Sequence, residues 1–122
     1  MGKRGRRLQK GTGLGPLTAP DSDYSDAEGN VLTLRGALKI GSRRALEQAT
    51  ASSPLSREDA WQRALEVLFE RLAVRWTIAG VPTEGQRELL ARFRMASADE
   101  RRWIRETLRR HCAEHFPDIE TP

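Results

Sequence analysis

Residues 56–80 read SREDAWQRALEVLFERLAVRWTIAG, and this stretch decides the fold that the sequence predicts. At about 100° per residue, its large apolar side chains fall on one helical face. The face consists of Trp61, Ala64, Leu65, Leu68, Phe69, Leu72, Trp76 and Ala79. Gly80 suits the end of a helix because glycine adopts positive φ without strain, and Pro82 blocks continuation. We therefore predict one long helix from residue 56 to Gly80, with this face in the core.

Three pairs of residues have the capping-box spacing of helix starts, in which a side-chain oxygen accepts from unpaired backbone N–H groups. The pairs are Ser56 with Asp59, Thr83 with Gln86, and Ser97 with Glu100. We expect the last helix to end before Pro117, and Ser42 to begin a shorter helix that ends at Ala51. The short loops between these helices predict an all-α fold, a small three- to four-helix bundle with an extended, largely irregular N-terminal arm.

The composition divides the chain into four segments. Residues 1–30 hold six of the ten glycines, two of the six prolines and little apolar periodicity, which predicts a flexible arm, basic at first and acidic afterwards. Residues 31–55 are predicted to be an extended segment and the short helix, with Val31–Leu34 as a single strand or part of the arm. Residues 56–116 form the predicted helical domain, and residues 117–122 form a C-terminal tail.

Length and composition exclude several classes of protein. A chain of 122 residues is too short for two independent cores. Cys112 is the sole cysteine, which rules out an intramolecular disulfide, a CxxC redox pair and a cysteine-rich zinc site. No run approaches the ~18 apolar residues of a membrane-spanning helix, and the basic start lacks the apolar segment of a signal peptide. We expect a cytoplasmic protein that contacts no membrane and needs no cofactor.

Two groups of cations are candidate contacts for phosphates or for an acidic partner. The first group lies near the start and consists of Lys3, Arg4, Arg6, Arg7 and Lys10. The second is a row of like charges at i, i+4 spacing, Arg101, Arg105 and Arg109. Each such pair disfavours a helix by about 0.2–0.5 kcal/mol unless an anion neutralises it. Acids of the chain itself between residues 21 and 28, or plain solvation, are the alternatives to an external anion.

A second apolar stripe on the predicted long helix is a candidate interaction surface. It contains Val67, Val74 and Ile78 and lies on a different side from the main core face. A helix with two apolar faces needs two neighbours. Either the other helices of the bundle cover this stripe, or it pairs with a second copy of the chain to make a homodimer.

The sequence from His111 to His115 reads HCAEH, which matches the H-x-x-E-H pattern of inverted zinc peptidases. Two histidines one helical turn apart can share a zinc ion, but catalysis needs a third protein ligand further along the chain. Only seven residues follow His115. We therefore treat His111 and His115 as weak metal candidates, keep a metal-dependent hydrolase as a minor alternative, and expect neither a metal nor an enzymatic activity.

Together these features predict a small non-enzymatic helical protein that acts as a protein-binding adaptor or regulator through its N-terminal arm and helical faces. The alternative is a nucleic-acid-associated accessory protein whose basic arm and arginine row contact phosphates. We therefore expect another protein as the partner, with nucleic acid as the second option. Steeply salt-dependent binding would distinguish the nucleic-acid alternative.

Overall fold

The structure, a computed structural model, describes residues 19–51, 57–119 and 121. In chain order the elements are β1 (Ser22–Ser25), β2 (Val31–Leu34), α1 (Ile40–Ala51), α2 (Arg57–Leu72), β3 (Ala73–Ile78), β4 (Val81–Glu84), α3 (Gln86–Arg94) and α4 (Ala98–His115). The four strands form one antiparallel sheet in the order β1-β2-β3-β4. The fold is therefore α+β, and the predicted all-α helical bundle is wrong.

The predicted long helix ends at Leu72, well before Gly80, and the next six residues, AVRWTI, form β3. Val74, Thr77 and Ile78 are β-branched, and such side chains pack well on the pleated surface of a strand. A spacing of four residues between large apolar side chains fits a helical face, but it also fits one face of a strand. Pairing of β3 with β2, a contact between distant residues, decides between the two.

The helices cover one face of the sheet and form the core with it. Trp76 of β3 lies opposite Leu32 of β2, and both are buried. Phe69 of α2 meets Trp76 edge to face, with ring centroids 6.1 Å apart, and stacks on Phe93 of α3 at 4.7 Å. The other buried apolar residues are Leu34, Leu38, Leu46, Ala49, Ala64, Leu65, Leu68, Leu72, Ala73, Leu89, Ile104, Leu108, Cys112 and Phe116. All four helices contribute to this list.

The hairpin between β3 and β4 turns at Ala79 and Gly80, whose φ angles are 51° and 80°. Two successive positive φ values are what a two-residue type I′ turn requires. The Ala79 N–H donates to the side-chain oxygen of Asn30 at 3.0 Å, and the Asn30 amide nitrogen donates to Asp26 at 3.0 Å. Gly80 therefore has the positive φ that the sequence predicted, but it serves a strand turn rather than a helix end.

The predicted N-terminal arm belongs to the domain from residue 19 onward. Residues 22–25 form the edge strand β1, and Leu32, Leu34 and Leu38 are buried in the core. The expectation of a largely irregular segment up to residue 30 is wrong for this part, because the strand pairs along its whole length with β2. Residues 1–18, which include the basic group from Lys3 to Lys10, lie outside the described residues.

The three predicted capping boxes have different outcomes. The box at Ser97 is confirmed, since its hydroxyl accepts from the Glu100 N–H and the Glu100 carboxylate accepts from the Ser97 N–H. The box at Thr83 is wrong, because Thr83 lies in β4 and α3 begins after Gly85 without a side-chain cap. Ser56 lies outside the described residues. None of the described helices is long and apolar enough to cross a membrane.

Candidate functional site

The arginine row on α4 does not act as a unit. Arg101 is half-buried, and its guanidinium donates to the carbonyl of Ala96 at 3.3 Å and to that of Arg94 at 3.0 Å. These bonds close the end of α3, whose last carbonyls lack helical partners. Arg105 and Arg109 are exposed. Arg101 therefore serves the fold, and two exposed arginines remain from the predicted row.

The predicted stripe of Val67, Val74 and Ile78 is divided between two elements. Val67 is on α2, whereas Val74 and Ile78 are in β3, because the helix ends at Leu72. Val67 and Ile78 are half-buried against the core cluster. Val74 falls at the irregularity in the pairing of β2 with β3. The helical face on which the homodimer prediction rested does not exist.

His111 is fully buried, and both of its ring nitrogens are hydrogen-bonded. Nε2 lies 2.7 Å from the Arg35 carbonyl oxygen, and Nδ1 lies 2.8 Å from the Tyr24 hydroxyl. Since a carbonyl oxygen only accepts, we assign the proton to Nε2, and Nδ1 accepts from Tyr24. We call this chain of Tyr24, His111 and the Arg35 carbonyl the His111 lock. It ties α4 to β1 and to the end of β2.

The lock gives the HCAEH sequence a structural role. His111 has no lone pair free for a metal ion, and burial, together with the nearby His115, lowers the pKa of its ring and favours the neutral form. Burial also raises the pKa of the Cys112 thiol to about 12, which keeps it protonated and unreactive. Within the described ranges, no group of three or more His, Cys, Asp or Glu residues is placed to hold a metal ion.

A cleft of about 390 Å³ opens where β2 leads into α1, beside the end of α2. Its charged and polar side chains come from separate segments of the chain. They include Asp21, Arg35, Lys39, Glu70, Arg71 and Gln86. We call this feature the Arg71 cleft. Neither histidine nor the cysteine of the chain lines it, so the cleft lacks the side chains most often used for general base or thiol chemistry.

Backbone contacts bring the lining of the Arg71 cleft together. The Arg35 N–H donates to the Leu72 carbonyl at 2.8 Å, which places the end of β2 beside Arg71 in the last turn of α2. A Cβ at Gly36 would collide with the Pro20 carbonyl oxygen. Glycine at this position therefore permits the chain that enters β1 to approach the loop after β2 closely. Both contacts join residues that are far apart in the sequence.

The cations of the Arg71 cleft have no counter-ion among the described residues. Arg35, Lys39 and Arg71 form no ion pair within the described part of the chain, although Asp21 and Glu70 line the same cleft. The Nε atom of Arg71 is buried, and no described group accepts a hydrogen bond from it. An unsatisfied buried donor costs about 1–3 kcal/mol. The cleft therefore has lining cations without a described counter-ion, and an anionic group would neutralise them.

Sequence reasoning missed this cleft because no single stretch of sequence contains it. Arg35 and Lys39 follow β2, Arg71 closes α2, and Gln86 opens α3. The one local signal is Gly36, because a glycine directly after a strand marks a close approach of another backbone. Charge periodicity instead pointed to α4, where the spacing of arginines is visible in the sequence.

No protein-family model, curated protein or solved structure matches this chain. Geometry and charge are therefore the basis for assigning a function. The Arg71 cleft is a concave surface whose cations form no ion pair with a described residue, and it is therefore the candidate site.

Proposed function

We propose that the protein is a cytoplasmic, non-enzymatic adaptor that binds an acidic segment of another protein in the Arg71 cleft. The lining cations of the Arg71 cleft carry this proposal, because they form no ion pair with a described residue and an incoming carboxylate would be their counter-ion. Arg35 and Lys39 line the same cleft and would share the negative charge. The proposed contact surface therefore lies where β2 leads into α1, beside the end of α2, rather than on the helical faces that the sequence predicted.

The composition of the cleft favours a peptide over a nucleic acid. Asp21 and Glu70 lie among the cations and would repel a continuous row of phosphates, whereas a peptide can offer a single carboxylate. Proteins that bind single-stranded nucleic acids also stack bases on exposed aromatic rings. Every Phe, Trp and Tyr of this chain is buried or half-buried. The cleft is therefore better suited to a carboxylate of a peptide than to the phosphates and bases of a nucleic acid.

Fluorescence anisotropy with short labelled peptides that contain a single Asp or Glu residue tests the proposal. Two variants with the same loss of positive charge are compared. The cleft variant combines Arg35→Gln, Lys39→Gln and Arg71→Gln, and the control variant combines Arg44→Gln, Arg63→Gln and Arg105→Gln. The control arginines are exposed and lie outside the cleft. We expect the cleft variant to bind at least about tenfold more weakly and the control variant to change by less than about twofold.

Three results would contradict the proposal. Wild-type protein that binds no acidic peptide lacks the proposed activity. Equal losses in the two variants would show that net charge alone drives binding. Tighter and steeply salt-dependent binding of a single-stranded oligonucleotide in the same assay would favour the nucleic-acid alternative. Far-UV circular dichroism on both variants checks that the fold is retained.

A further inference from the structure

A second cleft continues the Arg71 cleft along α3. It has a volume of about 310 Å³ and shares Glu70 and Gln86 with the first cleft. At this shared wall the Gln86 amide nitrogen donates to the Glu70 carbonyl at 3.4 Å, a bond that joins the start of α3 to the last turn of α2. We call the second feature the Leu90 cleft, after one of its lining residues. The two clefts are neighbours that share this wall, and we call the pair the groove and each cleft a compartment of it.

The Leu90 cleft differs from the Arg71 cleft in polarity and charge. Leu90, which is half-buried against the core, and the exposed Ala91 provide apolar surface. The Arg94 guanidinium donates to the Glu66 carboxylate from Nε at 3.2 Å and from Nη2 at 2.9 Å. This bidentate pair reduces the charge that Arg94 offers to a ligand. Arg87 is the lining cation of this compartment that forms no ion pair with a described residue.

Glu70, one of the two residues that line both compartments, places a negative charge at their boundary. Glu70 lines each cleft and pairs with no described cation. A second acidic side chain of a ligand would meet its negative charge at the boundary, whereas an aliphatic side chain would not. Beyond that boundary, Leu90 and Ala91 offer apolar contact.

We propose that the segment bound by this groove is bipartite. A carboxylate enters the Arg71 cleft, and an aliphatic side chain a few residues away packs on Leu90 and Ala91. The carboxylate supplies charge complementarity, and the aliphatic side chain supplies specificity by burial of apolar surface. This inference rests on the proposed function, since it specifies the partner of the Arg71 cleft.

Two labelled peptides of equal length and equal charge test the bipartite segment. The mixed peptide carries a leucine a few residues from an aspartate, and the polar peptide carries serine in place of that leucine. Wild-type protein is expected to bind the mixed peptide about tenfold more tightly in an anisotropy titration.

Substitution at Ala91 measures the contribution of the Leu90 cleft to peptide binding separately from that of the Arg71 cleft. Ala91→Gln puts a polar side chain on an exposed position of the Leu90 cleft, and it should lower the preference for the mixed peptide to about twofold without weakening the polar peptide. Ala113→Gln is the matched control, because Ala113 is an exposed helical alanine outside both clefts, and it should keep the wild-type preference. Arg71→Gln should weaken both peptides by the same factor.

The outcomes distinguish the inference from the function on which it rests. If wild-type protein binds the two peptides equally, or if Ala91→Gln and Ala113→Gln behave alike, the bipartite segment is overturned while the acidic-peptide function stands. If neither peptide binds wild-type protein, the proposed function fails and the bipartite segment fails with it.

Discussion

The His111 lock and the Arg71 cleft meet at Arg35 but differ in how their polar groups are paired. The Arg35 carbonyl belongs to the lock, in which Tyr24 and that carbonyl engage both ring nitrogens of His111. The Arg35 side chain belongs to the cleft, in which Lys39 and Arg71 likewise form no ion pair with a described residue. The carbonyl and the side chain of one residue therefore belong to two different clusters. In the lock both ring nitrogens of His111 are hydrogen-bonded, whereas in the cleft the cations form no ion pair with a described residue.

This difference distinguishes residues that stabilise the fold from residues that are available to a partner. A buried polar cluster with all its hydrogen bonds made contributes to stability, whereas a buried donor without an acceptor lowers it. Loss of a group from the lock should therefore lower the free energy of unfolding. Loss of a group from the cleft should instead lower binding and leave stability nearly unchanged.

The largest effect on stability is expected from His111→Ala. This substitution leaves the Arg35 carbonyl and the Tyr24 hydroxyl without their partner and creates a cavity, so the free energy of unfolding should fall by about 3 kcal/mol in urea denaturation. His115→Ala is the control, because His115 is half-buried, and it should cost less than about 1 kcal/mol. Equal losses in the two variants would show that the lock contributes nothing particular to stability.

A smaller loss is expected from Tyr24→Phe. The ring stays beside Arg110, whose guanidinium lies 5.3 Å from its centroid, but Nδ1 of His111 loses its donor. The free energy of unfolding should fall by about 1–2 kcal/mol. In a His111→Ala background the same substitution should cost much less, because the acceptor is already gone. An equal cost in both backgrounds would mean that Tyr24 and His111 are not energetically coupled.

The lock is also expected to weaken in acid. Burial lowers the pKa of His111 in the folded state, while the unfolded chain has the ordinary value of about 6.5. The unfolded state therefore takes up the proton first as the pH falls. The stability contributed by neutral His111 is complete above about pH 6.5 and declines below it by at most about 1.4 kcal/mol per pH unit, until the folded pKa is reached.

Urea denaturation between about pH 7.5 and about pH 5.5 measures this slope. His111→Gln is the control, because its amide nitrogen can donate to the Arg35 carbonyl and its oxygen can accept from Tyr24, yet it does not titrate. The variant should show a shallower decline than wild-type protein. Identical slopes would assign the acid sensitivity to other groups.

The smallest loss of stability is expected from Arg71→Gln, which should not lower the free energy of unfolding, because it removes a buried donor from which no described group accepts, while it weakens acidic peptides about tenfold. Arg92→Gln is the opposite case, because Arg92 pairs with Glu100 at 2.7 Å and lies 4.8 Å from the Trp76 ring. It should cost about 1 kcal/mol and leave peptide binding unchanged. A large stability loss in Arg71→Gln would make Arg71 a structural residue and remove the contrast with the lock.

Periodicity predicted the helices better than the strands. The helix expected from Ser42 to Ala51 exists as α1, but it begins at Ile40, so the predicted cap at Ser42 is wrong. The Ser97 capping box begins α4 as expected. Val31–Leu34 was identified as a strand or an extended arm, and it is the strand β2. A capping box depends on residues within one turn, and so does a helical stripe, which is why a single sequence reveals them.

The described lining of the Arg71 cleft contains none of the cations selected from the sequence, and the contacts predicted for those cations stay predictions. A cationic contact for an acidic partner was expected, yet it was assigned to residues 3–10 and to the arginine row on α4. Arg101 turned out to hold the end of α3, a role that depends on where the two helices pack. No local pattern joins Arg35 with Arg71, because the two lie in separate segments of the chain.

By itself the sequence determined the start of α4 at the Ser97 capping box, which depends on residues within one turn, and the excess of positive charge, which follows from composition. Only the tertiary structure decided that residues 73–78 form a strand rather than the end of a helix, since that choice depends on pairing with residues 31–34. The same holds for the Arg71 cleft, whose cations converge through the bond from Arg35 to Leu72. Contacts between distant residues set both outcomes, and periodicity along the chain does not record them.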